Sequence, residues 1–428
     1  MAGRRRPDRV AAVPSLPARR VSAVSTATPE AQRVIRRYNA FQLFAGLLWW
    51  LPVFYVFQRS AGLSDTEIFS IQSIFYLAFC LFDIPTGMIA DRFDYRRCLQ
   101  VGSVILVVAN LIPVWEPTFA GFLMQFLLIA LAHSLFSGAG SAYLYEYLQR
   151  TGNETSYQGA EGSARAWTLI GRIVCLPAAG FLTAWWGPSA YVLSAVTCGI
   201  AAIIALGFPA LPATDSDPSK PEPVFPALAA ALRSLAKSKR LILLMAQGIA
   251  VFTLVRIGQA NLFQPILESK HLPLHWFGVL MAATTVFEVA GAARSAVLAR
   301  FGQIRVVLVL TVLMAIALAS VIPLGLVGTM ACLAVFSLAS GLAFPVQRKL
   351  VNQAITEPAR RATLLSIESL ADRAVCALVV FIMGGFLARG QMPAFLVALA
   401  AAVTVAMVAL AVLVTRSRDR AATKESLA

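Results

Sequence analysis

Gly87-Met88-Ile89-Ala90-Asp91-Arg92-Phe93-Asp94-Tyr95-Arg96-Arg97 ends one long apolar segment and is separated from the next by nothing but its own charges. A fainter copy stands at Ser295-Ala296-Val297-Leu298-Ala299-Arg300-Phe301-Gly302-Gln303-Ile304-Arg305, again between apolar segments, with the same spacing of small residue, Arg-Phe and later Arg. The offset, 295 against 87, is 208 residues, close to half of the 428-residue chain. A charged hairpin recurring half a chain later predicts two similar helical bundles joined in one polypeptide.

Composition agrees with that reading. The chain is 58% hydrophobic and only 13% charged, whereas soluble domains are about a quarter charged. Twelve stretches approach the about 20 apolar residues that a helical crossing needs: near 40–58, 67–90, 98–115, 119–145, 166–185, 189–209, 241–266, 276–298, 306–326, 328–347, 363–388 and 393–415. With the N-terminus placed in the cytoplasm, 29 of the 36 Lys and Arg residues fall on inner segments and only Arg59, Lys270 and Arg389 on outer loops. The positive-inside rule then sets both termini in the cytoplasm and accounts for the net charge of +15 without nucleic acid. The six cysteines have neither disulfide-framework nor metal-ligand spacing, and no metal or cofactor is expected.

The longest connection, about 210–240, begins with a Pro- and Asp-rich run and continues with Leu228, Ala231, Leu232 and Leu235 at helical spacing against Arg233, Lys237, Lys239 and Arg240. That pattern predicts a helix lying on the inner membrane surface. The halves also echo each other at Ser137-Gly138 and Ser340-Gly341, and at Gly180-Phe181-Leu182 and Gly385-Phe386-Leu387. The expected organisation is a disordered basic arm over 1–38, a six-helix bundle over 39–209, a linker over 210–240, a second six-helix bundle over 241–416 and a tail over 417–428. The expected fold is that of an all-α membrane protein of twelve transmembrane helices in two pseudo-symmetric six-helix bundles.

At these residues the chain resembles the major facilitator superfamily, from about 38 to 416. The family's loop between spans two and three carries Gly-x-x-x-Asp-Arg-x-Gly-x-Arg, met here by Gly87, Asp91, Arg92 and Arg96, with Asp94 at the usual glycine. Asp83-Ile84-Pro85-Thr86-Gly87, the segment from Ser137 to Glu146 and Arg361-Ala362-Thr363-Leu364-Leu365-Ser366 resemble the drug and metabolite branch. Of the antiporter signature in span five, Pro177 and Gly180 are present, while Leu176 and Phe181 stand at glycine positions. The resemblance implies the major facilitator fold and a drug/metabolite:proton antiporter.

The loop motif has its own physics. Gly87 lets helices approach closely, and Asp91 can face the positive N-terminus of span eleven, near Arg361, in the other half. Such a contact would latch the halves at the inner side, with Asp83 nearby at the inner gate. The alternative is that Asp91, Arg92 and Arg96 only fix topology.

An ionisable group at mid-bilayer costs at least ~2.5 to 3.5 kcal/mol, so those present need partners or a wet cavity. Eight fall inside the predicted spans: Asp83, Glu288, Glu368, Asp372, Arg172, Arg256, Arg294 and Arg373. Glu288, roughly 18 Å from the outer end of span eight, is the leading proton-coupling candidate, with a permanent ion pair to an arginine such as Arg256 as the alternative. Glu368 and Asp372 share a helical face and are further candidates, unless Arg172 or Arg373 neutralises them. Arg172 and Arg256 could each hold a substrate carboxylate or phosphate or serve in structural pairs. Gln259, Asn261 and Gln264 are amides that hydrocarbon cannot accommodate without a partner, and are expected to contact substrate.

The leading expectation is a secondary transporter in the cytoplasmic membrane, a monomer exporting a small amphiphilic molecule against proton entry by alternating access. Uptake or facilitated diffusion of a nutrient is the alternative. No phosphate-binding loop is present for a fused ATPase, and no catalytic constellation points to a membrane enzyme.

Overall fold

The computed structural model describes residues 27–92, 94–211, 224–355 and 360–427. All regular structure among the described residues is helical. Eleven helices are long and apolar enough to cross a membrane. The predicted span at 40–58 does not appear among them because it is broken into two pieces.

Those pieces are α1, Pro29–Ala45, and α2, Phe54–Ser60. Helix α1 starts inside the stretch assigned from sequence to the disordered arm. Pro29 occupies its first turn, Thr28 caps it through the Ala31 amide at 3.4 Å, and Val34 and Tyr38 are buried, so the start signals are local and strong. Residues 1–26 lie outside the described residues. Around the break, Pro52 has no amide to donate, and Gly46 packs so closely on Thr168 that a Cβ would lie 2.5 Å from its Cγ2.

Next come α3 (Asp65–Arg92), α4 (Tyr95–Trp115), α5 (Phe119–Arg150), α6 (Tyr157–Trp185) and α7 (Ser189–Leu206). Ser64 and Glu67 form a reciprocal cap on α3, Ser64 N donating to Glu67 Oε2 at 2.9 Å and Glu67 N to Ser64 Oγ at 3.3 Å. Asp94 caps α4 through the Arg96 amide at 3.0 Å, which explains an acid where the loop motif usually has glycine. Amphipathic α8, Val224–Lys237, ends the linker.

The second half contains α9 (Lys239–Arg256), a π-helical turn (Ile257–Asn261), α10 (Phe263–Ser269) and α11 (His275–Arg294). A 3-10 turn, Ser295–Arg300, leads to α12 (Gln303–Ser320), α13 (Leu326–Ala354), α14 (Arg361–Ala388) and α15 (Met392–Leu427).

The packing repeats. Helix α3 packs on α5 as α11 does on α13; α4 on α5 as α12 on α13; α4 on α7 as α12 on α15. Helix α1 lies on α6 and α7 as α9 lies on α14 and α15. Between these sets the main contacts are α3 with α14 and α6 with α11, which the same correspondence exchanges.

Candidate functional site

The break in the first span determines how the site is built. Its open backbone groups are taken by side chains from elsewhere, as buried amides and carbonyls must be. Gly46 O accepts from Arg172 Nε of α6 at 3.2 Å. Leu51 O accepts from Gln264 Nε2 at 2.9 Å, and Tyr55 N donates to Gln264 Oε1 at 3.0 Å. Gln264 therefore joins the two halves and is fully buried. It was expected to contact substrate; instead its amide is used up by the backbone of the break.

Between α6 and α11 lies a cavity of about 570 Å³. Leu51, Leu176 and Met281 line its deep end, and Arg165, Ala292 and Ala293 its other end, with Arg165 exposed. Beyond Leu176 the helices close on each other. A Cβ on Gly180 would lie 2.8 Å from His275 O, and one on Gly278 would run into Leu176 O. The Phe181 and His275 rings lie 5.3 Å apart across the same joint, and Arg59 reaches Glu268 at 3.8 Å. The protein is thus shut at the end away from the start of α1.

The polar groups on the cavity wall are few. Glu288 Oε2 accepts from Gln259 Nε2 at 3.0 Å, and the same nitrogen reaches Ser340 Oγ at 3.3 Å. Gln259 belongs to the π-helical turn, whose wider winding re-aims side chains locally. Thr284 and Thr285 also line the cavity, but their hydroxyls donate back to Met281 O at 2.9 and 2.8 Å. Arg172 is present with its Nε engaged at Gly46.

The other membrane charges form separate pairs. Arg256 Nη2 lies 2.6 Å from Asp372 Oδ2, and Thr253 Oγ1 donates to Asp372 Oδ1 at 2.9 Å. Arg348 Nη1 lies 2.9 Å from Glu368 Oε2, with its guanidinium 5.0 Å from the centre of the Phe252 ring. Gly248 makes room for Glu368, because a Cβ there would meet Oε1 of that carboxylate. Neither expected arrangement is formed: Arg256 is committed to Asp372 and not to Glu288, and neither Arg172 nor Arg373 neutralises the α14 acids. Arg373 instead lies over the Phe79 ring, 3.8 Å from its centre. Asn261 donates to Tyr76 Oη at 3.1 Å and is fully buried, away from the cavity.

Arg348 is the residue that sequence reading missed. Hydropathy ends the tenth span at 347, whereas α13 continues to Ala354 and carries Arg348 into contact with Glu368. Among the loop residues, Arg96 Nη1 donates to Phe208 O at 3.2 Å and its Nε lies 3.4 Å from Asp94. It ties the start of α4 to the exit of α7, within one half. Asp83 is half-buried on α3. The side chains of Gly87, Asp91 and Arg92 lie outside what the structure describes.

Comparison with known proteins places this geometry. No curated protein matches in sequence. Among solved structures, the nucleoside transporter NupG superposes with a TM-score of 0.73 at 15% identity, covering 89% of this chain and 98% of that one. A bacterial homolog of the human lysosomal transporter Spinster, in an inward-facing conformation, gives 0.65 at 19%, covering 91% and 96%. PepTSo, a POT family transporter, gives 0.70 at 13%, covering 92% and 99%. At these identities the likeness is one of fold. The model of the Major Facilitator Superfamily matches residues 40–366, and the chain belongs to that family.

Proposed function

We propose that the chain is a secondary transporter of twelve crossings in two six-crossing bundles, the broken α1–α2 segment counting as the first. It lies in the cytoplasmic membrane with both termini inside. The repeated packing, with α3–α14 and α6–α11 as joints between the sets, supports bundles that rock about a central cavity. The observation that carries the reading is the one-ended cavity between α6 and α11, closed at the far end by backbone contacts at Gly180 and Gly278 and lined by an acid with no cationic partner within ion-pair distance among the described residues.

That acid, Glu288, is the proposed proton site. Its Oε2 is held by a neutral amide, so its charge is not cancelled in place, and gaining or losing a proton alters the electrostatics of the joint. Glu368 and Asp372, each beside its own arginine, are assigned the structural role. The loop motif at 87–97 is proposed to close the termini face in the opposite state. The substrate is a small amphiphile: the volume falls in the range that suits drug-sized molecules, and most of the lining is apolar. Export in exchange for protons is the first reading, supported by the segments that resemble the drug and metabolite branch. Uptake together with a proton is the second, favoured by Arg172, whose terminal nitrogens carry no partner among the described residues.

The test is alternating thiol accessibility. Met281→Cys, in a cysteine-free background, is expected to react with a membrane-impermeant maleimide from either side of oriented vesicles. The ratio of the two rates should change between about pH 5.5 and pH 8, and Glu288→Gln should abolish that change. Labelling from one side only, at both pH values, would overturn alternating access.

A further inference from the structure

We infer that the cavity takes an anion, a small amphiphile bearing a carboxylate, and that Arg172 is the residue that binds it. This deepens the second reading above and rests on it. Arg172 is immobilised before any ligand arrives: its Nε is spent on Gly46 O at 3.2 Å, and the α1–α6 joint around it is tight, since a Cβ on Gly171 would run into Leu43. The two terminal nitrogens have neither an ion-pair nor a hydrogen-bond partner among the described residues, although the residue lines the cavity. A guanidinium with one edge anchored and its fork free matches a carboxylate in two parallel, charge-assisted hydrogen bonds.

Apart from Arg165, which lies at the exposed end, the remaining described lining offers no rival anchor. Both threonine hydroxyls are bonded to their own helix, and the Gln259 nitrogen is divided between Glu288 and Ser340. Charge favours an anion as well, because two arginines, Arg165 and Arg172, face the single acid Glu288. Apolar Leu169, Leu176, Met281 and Phe344 supply the surface for the ligand's hydrocarbon part.

Glu288 then acts as a competitor for the arginine. The charged groups that bear on it are Arg165 and Arg172 of α6, and its neighbours from the π-helical turn and α13 are the neutral Gln259 and Ser340. Of the other elements touching α11, α10 carries Glu268 and the 3-10 turn carries Arg300, each beyond one end of the helix, and Arg294 stands in the last turn of α11 itself. An ionised Glu288 repels a second carboxylate from the same cavity, and a protonated one does not. The anion and the proton therefore load together.

The experiment uses purified full-length protein in detergent and measures binding by isothermal titration of benzoate, phenylacetate and indole-3-acetate. The matching neutral amides and the amines benzylamine and tryptamine serve as comparisons. At least one carboxylate is expected to bind, its amide and amine counterparts at least about tenfold more weakly. Arg172→Gln should weaken the carboxylate by about tenfold or more, with Arg172→Lys intermediate, while the melting temperature falls alike in both because each loses the bond to Gly46 O. Glu288→Gln should tighten the carboxylate at neutral pH and flatten its pH dependence. Amides or amines binding as well as carboxylates, an Arg172→Gln variant with unchanged affinity, or no carboxylate binding at all would each overturn the inference. Preferred amine binding would leave the transporter standing with the opposite substrate charge, whereas one-sided thiol labelling would remove the transporter itself.

Discussion

Gly180→Ala is expected to open the far end of the protein without unfolding it. The added methyl would sit 2.8 Å from His275 O, 3.2 Å from the His275 carbonyl carbon and 3.2 Å from Leu274 O. Ordinary contact begins at 3.4 Å, so the two helices must separate by about 0.6 Å, and the obstacle is backbone, which cannot swing aside as a side chain would. Overpacking of this kind costs about 1 to 2 kcal/mol. Because the clash joins α6 to α11, it exists only while the far end is shut; a state in which these helices part there escapes it. The population ratio should then move toward far-end opening by about 5- to 30-fold. Gly341→Ala is the control, since its Cβ would meet Glu288 O between α11 and α13, two helices of one set whose packing no rocking motion relieves. Spin labels at 60 and 269, beside the joint, would report the change by pulsed electron resonance. A longer distance population is expected for Gly180→Ala, and a lower melting temperature with unchanged distances for Gly341→Ala. Unchanged distances in Gly180→Ala, with a melting loss like that of the control, would refute the reasoning.

Arg348→Ala should leave Glu368 buried without its cation and cost about 3 kcal/mol, the lower end for such a loss because a third of the arginine side chain is exposed. Glu368→Gln in the same chain should recover most of that in a denaturant titration. Gln264→Leu, nearly isosteric, strips partners from Leu51 O and Tyr55 N and should cost about 2 to 5 kcal/mol by thermal melting. Arg59→Ala, by contrast, removes ion pairs of 3.5 and 3.8 Å made by a side chain 46% exposed, and should change stability by less than about 1 kcal/mol.

The repeat of the charged hairpin pointed to the repeated helix packing, because helices set at matching spacings in two stretches of chain can pack in the same order. Glu288 was legible for a similar reason: helical rise alone places it deep in span eight. Pairing was not legible. Arg256 and Asp372 are 116 residues apart and meet through the packing of α9 on α14, which periodicity does not encode. Arg348 was hidden because hydropathy marks where a helix leaves hydrocarbon, not where it stops. The interrupted first span was hidden because Leu47, Leu48, Trp49, Trp50 and Leu51 are apolar whether or not they are helical. Gln259, Asn261 and Gln264 drew notice together as costly amides, yet only the first faces the cavity, the others having found partners at Tyr76 and at the break.

The Gln264 clamp also bears on biogenesis. The carbonyl of Leu51 and the amide of Tyr55 wait for a side chain that emerges from the ribosome 213 and 209 residues later, about 10 to 40 s at common elongation rates. During that interval the nascent first segment holds two unanswered peptide groups, so an insertase or chaperone has a defined window in which to shelter it. A ribosome stalled before residue 264 would strand the first half with that segment incomplete.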